Sequence, residues 1–157
     1  MSELRITVVE AATQDDPYNW WAATLRSGES KAASVGDMID KVLARLGEGD
    51  CIGRLTLIGH GSPGNLSMGD GRGQEVGKHI GIRNRGEWID EIGRLRGRFA
   101  AEALLTLRGC RAGRGPEGRE LVELLHERLG VRVRAPTGVT TPLWIFGRWT
   151  RAPRSPA

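Results

Sequence analysis

Two residues suited to nucleophilic chemistry occupy matching places in this sequence. His60 follows the apolar run Ile52 to Ile58 (IGRLTLI) and precedes Gly61, while Cys110 follows Ala103 to Leu107 (ALLTL) within Arg108-Gly109-Cys110-Arg111-Ala112-Gly113. A thiol becomes an effective nucleophile when a nearby imidazole or a positive environment favours the thiolate. Arg108 and Arg111 flank Cys110, and a run with helical spacing begins shortly after it. Glycines at 61, 109 and 113 let the backbone approach a substrate and present amides to a developing oxyanion.

The stretch around His60 admits other readings. Gly59, Gly61 and Gly64 in LTLIGHGSPG have the GxGxxG spacing of a dinucleotide loop, but that loop must lead directly into a helix whose amides hold the pyrophosphate. Asn65 to Gly71 (NLSMGDG) will not make one. A GxSxG serine elbow fails by register, because His60 stands where the first glycine belongs. Taken alone, His60 reads as a hydrogen-bonded turn histidine, and the bland reading of Cys110 is a small core residue, against which its two arginine and two glycine neighbours speak. Their joint placement at the carboxyl ends of two strands shifts the balance, since sites in open α/β sheets form where such ends meet.

The elements that must position this pair read as strands alternating with helices, the pattern of a parallel sheet flanked by helices in a three-layer sandwich. Leu4–Val9 is the first strand, Ile52–Ile58 the second, Ala103–Leu107 the third and Val131–Ala135 the fourth. Apolar residues at three- and four-residue spacing predict helices over Val35–Leu46, Glu87–Arg98 and Arg119–Leu129. Gly59 to Gly86 is rich in glycine and poor in apolar residues, which predicts an irregular surface segment with a hairpin around Leu66–Met68 and Val76–Ile82. The segment Asp15–Ser34 stays ambiguous. One more strand is expected at Leu143–Phe146, and residues 148–157 read as a basic, proline-rich disordered tail behind a single domain over 1–147.

Composition sets the frame. The chain has 157 residues, 39% of them hydrophobic, enough for the core of one domain. The formal charge of +4 comes mostly from arginine, but the basic residues are interspersed with acids, so nucleic-acid binding is not expected as the main function. No apolar run approaches the length of a membrane span and no leader is evident, so a cytoplasmic protein with no membrane partner is expected. Cys51 and Cys110 form no CxxC and have no clustered histidines, which speaks against both a disulfide framework and a zinc site. Cys51 reads as structural, His126 as a solvated helical residue and His79 as a substitute base should His60 prove inert. Trp20, Trp21, Trp144 and Trp149 read as packing residues.

The apolar strand with His60-Gly61 and the apolar strand with Gly109-Cys110-x-x-Gly113, about fifty residues apart, together resemble the caspase-like clan of cysteine peptidases, including its bacterial members. The run GPEGRELVELLHERLGVRVRAPTG is similar to the helix and strand that follow the cysteine there. The resemblance covers roughly Asp50 to Gly138 and implies a caspase-hemoglobinase-like fold, no cofactor and a protein or peptide substrate. It implies that Cys110 is the nucleophile and His60 the general base and acid. The backbone amides of Gly61 and Cys110 would form the oxyanion hole, and no third carboxylate is required.

Arg108 stands where metacaspase-like members carry an Asp that binds a basic side chain, so a preference for acidic residues is expected. Ser62 is placed with Arg108 as a substrate-binding candidate. The segment that usually completes the substrate groove is reduced to Thr140–Trp149, which points to an activating partner or a dimer. The alternative is a catalytically inactive scaffold of the same fold, used for protein binding or regulation.

Overall fold

A strand whose inward positions are apolar and whose outward positions are polar commits one face to a core, and four strands here follow that rule in register. The computed structural model describes residues 2–11, 30–70, 76–139 and 148–153. Its main sheet has six strands in the order β2-β1-β3-β7-β8-β9. They are β1 (Glu3–Glu10), β2 (Ser30–Ala32), β3 (Cys51–Ile58), β7 (Phe99–Arg108), β8 (Arg132–Pro136) and β9 (Trp149–Ala152). All neighbours pair parallel except β8 and β9, which pair antiparallel.

Ile6 and Val8, Leu55 and Leu57, Leu105 and Leu107, and Val133 and Ala135 supply the inward rows, all buried in one hydrophobic cluster. Helices α1 (Val35–Ala44), α2 (Arg85–Gly93) and α3 (Gly115–Leu129) cover those rows. Val35, Met38, Ile39 and Val42 of α1, Trp88 and Ile92 of α2, and Leu121, Val122 and Leu125 of α3 belong to the same cluster. The chain is α/β with a mostly parallel sheet, as the alternation of patterns predicts. The expected three layers are two among the described residues, with all three helices on one face. The physical reason lies in the strand order: β2 to β3, β3 to β7 and β7 to β8 all step in the same direction, and right-handed crossovers then fall on the same side.

Boundaries differ from the periodicity in instructive ways. The α2 pattern was expected to reach Arg98, and the chain does stay wound, but through i to i−3 bonds from Arg94, Leu95, Arg96 and Arg98 rather than an α-helix. β7 extends well before Ala103, to Phe99. The tail expectation is corrected for Trp149–Ala152, which add an antiparallel edge strand to β8, with the Trp149 ring 4.6 Å from the Arg134 guanidinium. Main-chain pairing and this stacking hold a segment whose own composition gives no strand signal. Trp20, Trp21, Trp144 and the strand expected at Leu143–Phe146 lie outside the described residues.

The glycine-rich excursion folds into a second sheet of three short strands, β4 (Gly61–Ser62), β5 (Asn65–Ser67) and β6 (His79–Gly81), all antiparallel. The hairpin expected near Leu66 and Ile80 is present, and Leu66 pairs Ile80 across it. Leu66, Met68 and Ile80 are fully buried in the main cluster, so this small sheet packs on the core despite its glycines. Trp88 fixes it to α2: the indole is wholly buried and its Nε1–H donates to the Gly81 carbonyl at 2.9 Å. Trp88→Ala is therefore expected to lower the free energy of unfolding by about 3–5 kcal/mol, read from urea midpoints, since it opens a cavity and orphans a buried carbonyl.

Candidate functional site

His60 and Cys110 each lie two residues beyond the ends of adjacent strands. The pairing of Ile58 with Arg108 in the β3–β7 ladder sets Gly59-His60 beside Gly109-Cys110. The two turns are then bonded to each other: the Gly59 N–H donates to the Arg108 carbonyl at 3.3 Å and the Gly64 N–H to the Ala112 carbonyl at 3.0 Å. Gly61 shows how close they are, because a Cβ there would fall 2.6 Å from the Gly109 carbonyl carbon and 2.7 to 2.8 Å from Cys110 backbone atoms. At Gly109 a Cβ would lie 2.6 Å from a Leu66 methyl group. Any side chain at either position would push the two turns apart.

The partner of His60 is a residue the sequence did not single out. Glu10 ends β1 and is wholly buried, while Val9, just before it, pairs with Ile58 just before the His60 turn. The Glu10 carboxylate accepts from the His60 backbone N–H at 2.7 Å and through the same oxygen pairs with His60 Nδ1. A carboxylate only accepts, so the proton sits on Nδ1 and Nε2 is left as the basic nitrogen. The His60 side chain is 57% exposed, so its ring stands at the surface on a buried anchor. A carboxylate that orients an imidazole is the arrangement that activates a nucleophile lying within its reach. The only early signal for Glu10 was a carboxylate at the carboxyl end of an apolar strand.

Cys110 is partly exposed and begins a sharp turn. The next residue, Arg111, has φ of +59°, a left-handed conformation that costs energy in a residue with a Cβ. Its N–H is held by the Gly138 carbonyl at 2.8 Å, and the following Gly113 N–H by the Pro136 carbonyl at 2.9 Å. The turn that presents the thiol is thus fixed from β8 and the residues after it. On the other side, His60 and Ser67 form a bonded pair of the small sheet, with the Ser67 N–H on the His60 carbonyl at 2.7 Å. Gly61 therefore occupies the non-bonded position opposite Leu66, and its N–H points away from β5.

The remaining candidates separate. Ser62 lines a cavity of about 430 Å³ beside the His60 turn, together with Asn65, His79, Asn84, Arg83 and Glu117. Arg108 is 8% exposed and lines a different cavity, with Arg5, Thr56, Thr106 and Arg134, so the structure does not bring it to Ser62. His79 is engaged through Nδ1 with the Asn65 side chain at 2.8 Å. His126, expected as a solvated residue, is part-buried and bonds the Val131 carbonyl at 2.7 Å across the α3–β8 turn. Cys51 opens β3, with its thiol 3.7 Å from the Ser2 carbonyl. Among the described residues no three His, Cys, Asp or Glu groups gather as metal ligands, and no helix is long and apolar enough to cross a membrane.

Glu10 acts through His60 and is a positioning residue. Glu10→Gln keeps the shape but removes the charge that stabilises an imidazolium, and is expected to slow alkylation of Cys110 by about tenfold or more, the worth of a charge-assisted bond. The pH profile of that alkylation should move as well, which a purely structural role would not cause. An unchanged rate and profile would show that the carboxylate only props the turn.

No curated protein and no solved structure matches this chain. A family model does match, over residues 25–150, a span that contains both His60 and Cys110 and begins after Glu10. The chain belongs to that family, described as a domain of unknown function (DUF4347).

Proposed function

We propose that this protein is a cysteine-nucleophile hydrolase of the caspase-like type, acting on peptide bonds. The observation that carries the reading is the contact of the two turns: a histidine with its Nδ1 fixed by a buried carboxylate, on a turn packed directly against the one that bears Cys110. A thiol alone in a polar turn reacts slowly at neutral pH; an oriented base beside it changes that. The resemblance in sequence, the mostly parallel sheet and the location of both residues at strand carboxyl ends support the same reading.

The chemistry assigns each group a task. His60 Nε2 takes the proton of the Cys110 thiol, and the thiolate attacks the carbonyl carbon. Gly61 and Cys110 amides receive the oxyanion, the C–N bond breaks, and the imidazolium returns its proton to the leaving amine. Water, activated by the same imidazole, then hydrolyses the thioester and frees the thiol. Glu10 keeps the proton on Nδ1 throughout and favours the charged ring.

Arg108, two residues before the nucleophile, makes an acidic side chain before the scissile bond the preferred substrate in this reading, through a bidentate guanidinium pair. Assembly with a partner or a second copy would complete the groove.

The direct test is iodoacetamide labelling of Cys110 against Cys51, followed by mass spectrometry across pH, in the wild type and His60→Ala. Fast labelling of Cys110 near neutral pH, reduced about tenfold or more in the variant, is the expected result. Slow and equal labelling of both cysteines, unchanged by the substitution, would leave the protein as a caspase-like scaffold without catalysis. Peptides differing only at the residue before the scissile bond check the specificity: cleavage after Asp or Glu is expected, and a preference for Arg or Lys would overturn that part of the reading.

A further inference from the structure

The outward positions of the central strands carry a pattern that the candidate active site does not use. Register places Arg5 opposite Arg54 and Thr7 opposite Thr56, then Thr56 opposite Thr106 and Thr106 opposite Arg134. Three threonines and an arginine thus form one row across four strands, and the row beside it runs Arg5, Arg54, Leu104 and Arg132. These residues face away from the three helices, whose cluster takes the alternate positions Ile6, Leu55 and Leu105.

They also enclose space. Arg5, Thr7, Arg54, Thr56, Thr106 and Arg134 line a cavity of about 270 Å³, closed toward the carboxyl ends of the strands by Arg108. Among the described residues four arginines line it and no carboxylate does. Glu3 and Glu102 border a separate hollow at the other end of Arg5 and Arg54, where Glu102 pairs with Arg132 at 3.9 Å.

Arginines concentrated in this way work against the fold unless something negative joins them. Like charges directly opposite in a sheet are destabilising, and Arg5 and Arg54 are such a pair. Arg134 is tied in place by its Nε–H on Thr106 Oγ1 at 3.1 Å and by the Trp149 ring beneath it. Burial, with the charges of Arg151 and Arg54, holds its pKa below the ordinary arginine value, so the guanidinium is desolvated and sits in a positive field. Threonine hydroxyls in mid-sheet supply neutral donors between the cations.

We propose that this cavity is a binding site for a phosphoryl group, held by the guanidinium groups of Arg5, Arg54 and Arg134 and the hydroxyls of Thr56 and Thr106. A phosphoryl group carries nearly two negative charges and three strong acceptor oxygens. A carboxylate, planar and singly charged, satisfies fewer of the donors that converge here. The site lies in the middle of the sheet, and its lining includes neither His60, Ser62 nor Cys110; Arg108, at its edge, is the residue it shares with the proposed hydrolase, and none of the ligands named here is Arg108.

Isothermal titration of the full chain with inorganic phosphate and with pyrophosphate, at ionic strength matched with chloride, tests the proposal. Saturable binding at one site per chain is expected, weakened about tenfold or more in Arg54→Gln and in Thr56→Val, and unaltered in Cys110→Ser. Arg5→Gln, on an exposed side chain, keeps the test open should Arg54→Gln fail to fold. No saturable binding at matched ionic strength would overturn the site, as would binding that survives Arg5→Gln, Arg54→Gln and Thr56→Val. Acetate bound as tightly as phosphate would overturn the choice of phosphoryl group. Binding seen only with an oligonucleotide, and falling steeply with salt, would overturn it in favour of a nucleic-acid surface.

Discussion

A buried carboxylate must be paired, and the pairing of Glu10 with His60 is the constraint around which this end of the molecule is arranged. Leaving a carboxylate without hydrogen bonds in an apolar interior costs several kcal/mol. Glu10 accepts from both the main chain and the ring of one residue, so its demand fixes the position of the His60 turn as well as the direction of the imidazole. The turn cannot rotate to suit a solvent-facing histidine without giving up the backbone bond. The ring is exposed and yet held.

That turn in turn fixes the thiol. Gly61 and Gly109 touch without side chains between them, which brings the His60 and Cys110 backbones closer than two ordinary residues allow. The small three-stranded sheet follows from the same contact, because its first strand starts at Gly61 and its middle strand places Leu66 against Gly109. Trp88 then ties the last of those strands to a helix of the main layer. A segment poor in apolar residues is thereby given a rigid support, which a site requires if its groups are to be held within a fraction of an ångström.

The two faces of the sheet divide the labour. The inward face is uniformly apolar and carries the helices, and the energy of that burial sets the register of all four central strands. The same register that aligns Leu55 with Leu105 necessarily aligns Thr56 with Thr106 on the reverse side. An arginine and threonine surface is consequently ordered by a core it does not touch, at no further cost in specification. Trp149 and the edge strand extend this surface by covering Arg134.

Local pattern was sufficient for the parts whose physics is local. The spacing from Val35 to Leu46, the apolar runs ending at Ile58 and Leu107, and the glycine stop at Gly130 name their elements because helix and strand periodicity are properties of neighbouring residues. His60 and Cys110 were legible as strand-end residues for the same reason. Glu10 was not, since its role depends on β1 lying beside β3 in one register, a fact of pairing between residues 50 positions apart in the chain. The placement of Arg108 among Arg5, Arg54 and Arg134, the pairing of Trp149–Ala152 with β8, and the gathering of three helices on one face are likewise set by strand order and crossover hand. Which residues could act and which segments carry them follows from local residue order; which of them meet follows from the fold, because long-range register is fixed by burial of the whole sheet and by no single stretch of it.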